Sequence, residues 1–285
     1  MRIAVTGTNG QLGSALLEWL EKWGRDEVKG LAKPEGDITD RAKVNHLFQE
    51  WRPELVLHPA AYTLVDQAEL DPAAAYRVNG LGTQNLALAC AAADIPLVYI
   101  STNCVFDGNK PTPYYEYDAV NPTSVYGRSK LAGEFYVQTL LRKFYIVRTS
   151  WVFGPKPGNE SNFVTKILKV ADERGAASVV DDEISNPTYA PDLAAALLEL
   201  VETRAYGLYH LMNEGAASRY AFAAEIFRQT KRQIEIKPMK LADFKRPTPP
   251  LYQSALHNFA ASENLGIRLR PWQEALAEYV QLRNF

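Results

Sequence analysis

The sequence predicts an α/β fold, a doubly wound parallel sheet with a smaller C-terminal α/β domain beside it. Short apolar runs alternate with helical patterns through the first half, and three glycines at three-residue spacing follow the first run. The alternation then loosens after Trp151. A strand–helix rhythm of this kind implies parallel strands with crossover helices on both faces. At 285 residues the chain has room for one to two domains, and 47% hydrophobic residues supply a sizeable core.

Residues 1–6 read as a buried strand with β-branched residues at its centre. Gly7, Gly10 and Gly13 follow, and residues 14–20 are apolar at helical spacing. A strand, a glycine turn and a helix start form a site where backbone N–H groups and the helix dipole meet a phosphate. The alternative is a tight turn that binds nothing. The second strand is 28–31, followed by Ala32 and Lys33. NAD sites often place an acid there for the ribose 2′-OH. None stands here, and Lys33 can face a 2′-phosphate, which favours NADPH with NADH as the alternative. Asp37 and Ile38 lie where an adenine contact can form; Asp37 can equally cap the helix running from Arg41.

Residues 42–51 are predicted helical and 55–58 a third strand. Residues 73–93 read as one long helix, and 97–102 as a buried strand. A helix runs from Val125 to Leu141, before a strand at 145–149. Ligands of such sheets bind beyond the strand C-termini, so Gly7, Ala60, Thr102 and Ser150 should line one crevice. Further on come a loop at 154–159, helices at 163–174 and 192–203, a strand at 208–211 and a helix at 219–231. A loop at Pro247, Pro249 and Pro250 precedes a last helix at 272–282. The expected division is a dinucleotide-binding domain over 1–154, rejoined by a segment near 187–211. Residues 155–285 mainly form a smaller, discontinuous substrate domain that closes over the crevice.

A formal net charge of −2 gives no reason to expect nucleic acid or a membrane surface. Two cysteines, Cys90 and Cys104, argue against a disulfide scaffold and fit a reducing compartment. The first residues enter a strand without a signal peptide, and no apolar run approaches the ~18 residues of a membrane span. A cytoplasmic protein is expected, with a homodimer left open. His46, His210 and His257 show no ligand spacing, so no metal is expected; His58 reads as a packed strand-end residue.

Tyr126 and Lys130 are four apart and share a helix face. An adjacent ammonium favours the phenolate and should lower the tyrosine pKa from its ordinary value near 10. The phenol can then give a proton to a carbonyl oxygen as hydride reaches the carbon, while Lys130 can hold a ribose hydroxyl. Thr102, at a strand end, can donate to the same carbonyl. Without the glycine motif, this spacing equally describes an ordinary aromatic and a surface lysine.

The chain resembles the extended short-chain dehydrogenase/reductases and, within them, the dTDP-4-dehydrorhamnose reductase family. The similarity spans nearly the whole chain. Besides the Gly7–Gly13 and Tyr126–Lys130 motifs, it rests on Ala60-Ala61-Tyr62-Thr63, Ser101-Thr102-Asn103-Cys104, Arg148-Thr149-Ser150-Trp151, Asn162-Phe163 and Pro187-Thr188. The resemblance implies a Rossmann-like sheet and NAD(P)H-dependent reduction of the 4-keto group of a nucleotide-activated deoxysugar, dTDP-4-dehydro-L-rhamnose to dTDP-L-rhamnose. It makes Tyr126 the proton donor, Lys130 its pKa partner and ribose ligand, and Thr102 the third member. Gly10, Gln11, Leu12 and Gly13 would take the pyrophosphate. Ala60, Ala61 and Tyr62 would flank the cofactor, and Val65, Asn103 and Trp151 would meet the sugar. Of Lys237, Lys240, Lys245 and Arg246, Arg246 is the best candidate for a sugar nucleotide's diphosphate. The chain departs from the family at Asn103-Cys104 (usually Asp-Tyr), at His58-Pro59 (usually Asn-Ala), and at Asp182-Glu183-Ile184-Ser185 (usually Asp-Gln-x-Gly). Two alternatives stand beside this: a reductase or epimerase of another nucleotide sugar, and a non-catalytic regulatory homologue resembling the methionine adenosyltransferase β-subunit.

Overall fold

The computed structural model describes residues 1–156, 158 and 162–285. Strand β1 (Arg2–Thr6) leads into α1 (Gln11–Trp23), and β2 (Glu27–Leu31) into α2 (Arg41–Glu50). Asp40, not Asp37, caps α2, accepting from the N–H groups of Ala42 and Lys43. Asp37 instead accepts from the N–H and hydroxyl of Thr39. After β3 (Leu55–His58) comes a short helix α3 (Val65–Leu70), which was not expected. The expected long helix follows as α4 (Pro72–Tyr76), a π-helical turn over Arg77–Gly82 and α5 (Thr83–Ala93), running on without a break. Inside the π turn, Asn79 holds the backbone of Tyr62 at both its N–H and its carbonyl, and donates to Ser129 Oγ. Strand β4 (Leu97–Thr102), helix α6 (Val125–Leu140) and β5 (Phe144–Thr149) complete the first half.

The second half adds β6 (Val152–Phe153), α7 (Phe163–Arg174), β7 (Ala176–Val180), β8 (Ile184–Ser185) and β9 (Thr188–Tyr189). Then follow α8 (Ala190–Thr203), β10 (Gly207–His210), β11 (Ala217–Ser218), α9 (Arg219–Gln229) and β12 (Glu235–Met239). Helices α10 (Ala260–Leu265) and α11 (Trp272–Arg283) end the chain. The pair β7–β12, the short strands β6, β8, β9 and β11, and α10 were not expected. Of the predicted loop at 154–159, Pro157 and Asn159 lie outside the described residues.

Six strands form one parallel sheet in the order β10-β5-β4-β3-β1-β2, the doubly wound sheet that the alternation predicts. Strands β3, β4 and β5 are buried almost throughout, which is why they read as continuous apolar runs. Helices α1, α8 and α10 cover one face with an apolar cluster around Leu16, Leu197 and Val147. Helices α2, α5 and α6 cover the other around Val56, Leu86 and Tyr99. A separate core, centred on Phe153, Phe222, Trp272 and Tyr279, joins α7, α9 and α11 with β7. Strand order reverses between β1 and its neighbours, and a crevice opens there at the strand C-termini.

Candidate functional site

Gly7 follows β1 with φ +62°, and a Cβ there would lie 2.7 Å from Cα of Ala60, which follows β3. A Cβ on Gly13 would lie 2.3 Å from the Gly7 carbonyl oxygen. The turn closes through Gly10 N–H donating to that oxygen at 2.9 Å. Only glycine fits where two loops and a helix start approach this closely. Helix α1 begins at Gln11, and no side chain caps its N-terminus. Its first N–H groups and the positive end of its dipole are thus available to an anion. Gln11 Nε2 donates to the Gly154 carbonyl, tying this turn to the segment after β6.

These glycines form one end of a cavity of about 700 Å³ that continues past the ends of β3, β4 and β5 as far as Trp151, at the edge of the second core. Its wall includes Gly7, Gly10, Gln11, Leu12 and Gly13. Lys33, Ile38, Ala60 and Ala61 lie further along it, as do Val65, Thr102, Asn103, Tyr126, Lys130, Trp151 and Arg246. Asp37 and Tyr62 are not in that wall. Asp37 lines a neighbouring cavity of about 370 Å³, because its carboxylate turns to Thr39 and to Lys33, 3.3 Å away. Against the burial that would raise it, these partners hold the Asp37 carboxyl below its usual range. Tyr62 is clamped by Asn79 and packs toward Ala68, Ala75 and Val125.

Ser124 caps α6 by accepting from Gly127 N–H, and so starts the helix that carries both Tyr126 and Lys130. The expected depression of the Tyr126 pKa does not occur among the chain's own groups. Burial pushes the phenol well above its ordinary value, Cys104 adds to this, and a hydrogen bond with Thr102 only partly opposes it. Lys130 is instead the perturbed partner. Its side chain is buried, Nζ has no hydrogen-bond partner among the described residues, and it sits 4.1 Å over the Tyr99 ring. Burial pulls its pKa down to about 7 against the charge of Glu134. Tyr126 therefore keeps its proton at neutral pH, and Lys130 holds an amine in want of a partner.

Thr102 Oγ1 accepts from Cys104 N–H at 3.2 Å and donates to Asn103 Oδ1 at 3.1 Å. Asn103 is committed elsewhere: its Nδ2 donates to Ser185 Oγ and Ser254 Oγ, stitching β4 to the segments around β8 and 254. Burial raises the Cys104 thiol above its ordinary pKa. His58 is fully buried between Thr6 Oγ1 at 2.8 Å and Thr83 Oγ1 at 3.1 Å, and burial, with Lys130, lowers its pKa to about 3. It is neutral and structural, as the sequence suggests.

On the second-core side, Trp151 does not offer both ring faces to a ligand: the Arg219 guanidinium covers one at 3.4 Å. Arg219 and Glu183 belong to the cavity wall, with Lys156, Thr248 and residues 249–251, and the sequence reading missed them as site residues. Arg246 lines the wall while its Nε binds Asp66 at 2.8 Å. Lys237 and Lys240 lie outside it, exposed and paired with Glu235 and Asp181. No group of His, Cys, Asp and Glu suited to a metal occurs among the described residues, and none of their helices is long and apolar enough to cross a membrane.

A family model described as the RmlD substrate binding domain matches residues 1–284. The chain is 38% identical to the spore coat polysaccharide biosynthesis protein SpsK of Bacillus subtilis, covering 99% of this chain and 98% of that protein. It is 39% identical to the dTDP-4-dehydrorhamnose reductase of Mycobacterium tuberculosis, covering 97% and 91% respectively. Among solved structures, a dTDP-4-dehydrorhamnose reductase from Clostridium acetobutylicum superposes with a TM-score of 0.96 at 38% identity, over 100% of both chains. The Bacillus anthracis enzyme of that name, in complex with NADP, gives 0.94 at 36% identity over 99% of both.

Proposed function

The chain belongs to the RmlD substrate-binding domain family, and from that premise we propose that it reduces the 4-keto group of dTDP-4-dehydro-L-rhamnose to dTDP-L-rhamnose with NADPH, or NADH as the alternative. One observation carries this reading: the glycine turn at the N-terminus of α1 and the Tyr126, Lys130 and Thr102 side chains share one cavity.

The wall fits a dinucleotide. Gly7 and Gly13 leave space that a Cβ would fill, the first N–H groups of α1 are uncapped, and the buried Lys130 Nζ has no partner. Gly10, Gln11, Leu12 and Gly13 hold the pyrophosphate, Ala60 and Ala61 flank the cofactor, Lys33 faces the 2′ position, and Lys130 takes ribose hydroxyls. NADPH supplies the hydride when bound. Tyr126 donates its phenolic proton to the carbonyl oxygen as that oxygen becomes a hydroxyl. The resulting phenolate is stabilised by a protonated Lys130, and by Thr102 once its hydroxyl turns from Asn103 Oδ1. Val65 faces the sugar, Asn103 lines the wall beside it while held by Ser185 and Ser254, and Arg246 exchanges Asp66 for the diphosphate.

NADPH oxidation with dTDP-4-dehydro-L-rhamnose tests the reading. Wild-type turnover is expected, and Tyr126→Phe should bind NADPH normally while losing at least ~100-fold in kcat. A Phe variant of near wild-type kcat removes Tyr126 from its role. No turnover on any 4-keto nucleotide sugar would favour the regulatory reading.

A further inference from the structure

On the second-core side of the cavity, Glu183 and Arg219 form an ion pair of unusual looseness. Arg219 Nε and Nη2 face the two oxygens of Glu183 at 3.5 Å each. The buried pair Arg148–Glu134 in the same protein closes to 3.0 and 2.7 Å, near the ~2.8 Å of a charge-assisted bond. The Glu183–Arg219 fork is aligned but not closed, and both side chains are mostly buried, at 15% and 23% exposure.

The looseness is built in. Strands β8 and β11 pair antiparallel, and Arg219 N–H donates to the Glu183 carbonyl at 3.2 Å, so the backbones are fixed. The guanidinium is held flat on Trp151 at 3.4 Å, and Trp151 occupies the left-handed region at φ +41°. A non-glycine residue there stores strain of about 1–3 kcal/mol that the surrounding packing must support. Charge narrows the ligand. A phosphate approaching Arg219 also meets the Glu183 carboxylate, whereas a neutral polyol finds an acceptor and a donor side by side. The pair also lies close enough to perturb the thiol of Cys104, next to Thr102.

We infer that Glu183 and Arg219, with Arg219 braced on Trp151, form a subsite for neutral hydroxyls of the sugar ring, Glu183 accepting from one and Arg219 donating to another. This rests on the sugar-nucleotide reading and deepens it.

The test is calorimetric titration of dTDP and of dTDP-L-rhamnose into the NADP-loaded protein, for wild type, E183Q, R219Q and R219K. Each variant should lose roughly tenfold in affinity for dTDP-L-rhamnose, as expected for a hydrogen bond to a charged group, and stay within about twofold of wild type for dTDP. R219K keeps the charge but not the planar fork, so it should resemble R219Q; it carries the test if another variant does not fold. Equal losses for both ligands would make the pair a diphosphate clamp and overturn the inference, as would unchanged affinity for dTDP-L-rhamnose. A wild-type protein that binds dTDP-L-rhamnose no better than dTDP, and reduces no 4-keto sugar, would refute the proposed function and this subsite with it. Wild-type turnover with unaltered variant binding would refute the subsite alone.

Discussion

Replacing Lys130 by methionine should stabilise the protein, and by an amount that depends on pH. The ammonium is buried without a hydrogen-bond partner, and burial lowers its pKa from 10.5 to about 7. Between those values the unfolded chain binds a proton that the folded chain does not, so stability rises with pH through that window. Below about pH 7 both states are charged and the whole penalty is present. At about 1.4 kcal/mol per pKa unit it amounts to roughly 5 kcal/mol. Methionine has similar length, fills the same space and cannot titrate. His58, whose pKa of about 3 is set first by burial and then by Lys130, is neutral at pH 6 and above, and groups remote from Lys130 titrate alike in both proteins. Urea denaturation of the cofactor-free proteins should find Lys130→Met more stable by about 3–5 kcal/mol at pH 6, shrinking to about 1 kcal/mol at pH 10. Equal gaps at the two pH values, or a methionine variant less stable at pH 6, would refute the claim that Lys130 is held against its own solvation.

Three further outcomes follow from the geometry. Gly13→Ala should unfold several degrees lower and lose NADPH affinity, because the new Cβ meets the Gly7 carbonyl oxygen at 2.3 Å; the ~1 kcal/mol that alanine normally adds to a helix would otherwise raise the melting temperature. Glu134→Gln leaves the buried Arg148 guanidinium without its counter-charge, a loss of about 3–5 kcal/mol. With an unfolding entropy near 2.1 cal/mol/K per residue, that lowers Tm by about 5–8 °C, and calorimetry showing less than ~1 °C would contradict it. Lys33→Ala should weaken NADPH binding about threefold to tenfold and leave NADH binding unchanged, since the exposed lysine is shared with Asp37. Equal effects on both cofactors, by fluorescence titration, would remove the 2′-phosphate contact.

What the sequence revealed and what it hid have physical causes. Strands β1, β3, β4 and β5 are buried on both faces, so each is an apolar run bounded by turn residues and legible without its neighbours. Strands β6, β8, β9 and β11 are two residues long and carry no period at all. Strand β12 is largely exposed and contains Pro238, which argues against a strand; it survives by pairing with β7 alone. The π turn was hidden because Arg77–Gly82 runs on into helix at both ends, and its two glycines, Gly80 and Gly82, were its only local mark. At the site, Tyr126 and Lys130 are legible because four residues on one helix settle their proximity. Glu183 and Arg219 are 36 apart and meet only because β8 and β11 pair. Asp37 and Tyr62 stand outside the wall of the large cavity for local reasons: a Thr39 turn holds one, and the Asn79 amide holds the other.

A signal for Arg219 did exist, and it is of the same kind as the one at Lys130. Ser218 is the N-cap of α9, accepting from Ala221 N–H, so Arg219 opens the helix where its dipole is positive. A cation there is disfavoured by up to about 1 kcal/mol. Lys130 is an unpartnered amine in the core, and Trp151 adopts a backbone conformation that glycine would hold without strain. Each choice runs against local preference, and all three line one cavity. Conflicts of the same kinds occur elsewhere, at Arg204 and His210 among others, but three on one cavity wall are what a site retained for chemistry shows. A ribose hydroxyl of the cofactor would partner the Lys130 amine, and hydroxyls of the sugar would engage Glu183 and Arg219. The two ligands proposed for this cavity, cofactor and sugar nucleotide, would thus each supply polar partners that the empty site lacks. Lys130 and Arg219 should accordingly show opposite signs in two assays, costing stability in the empty protein and contributing affinity in the loaded one.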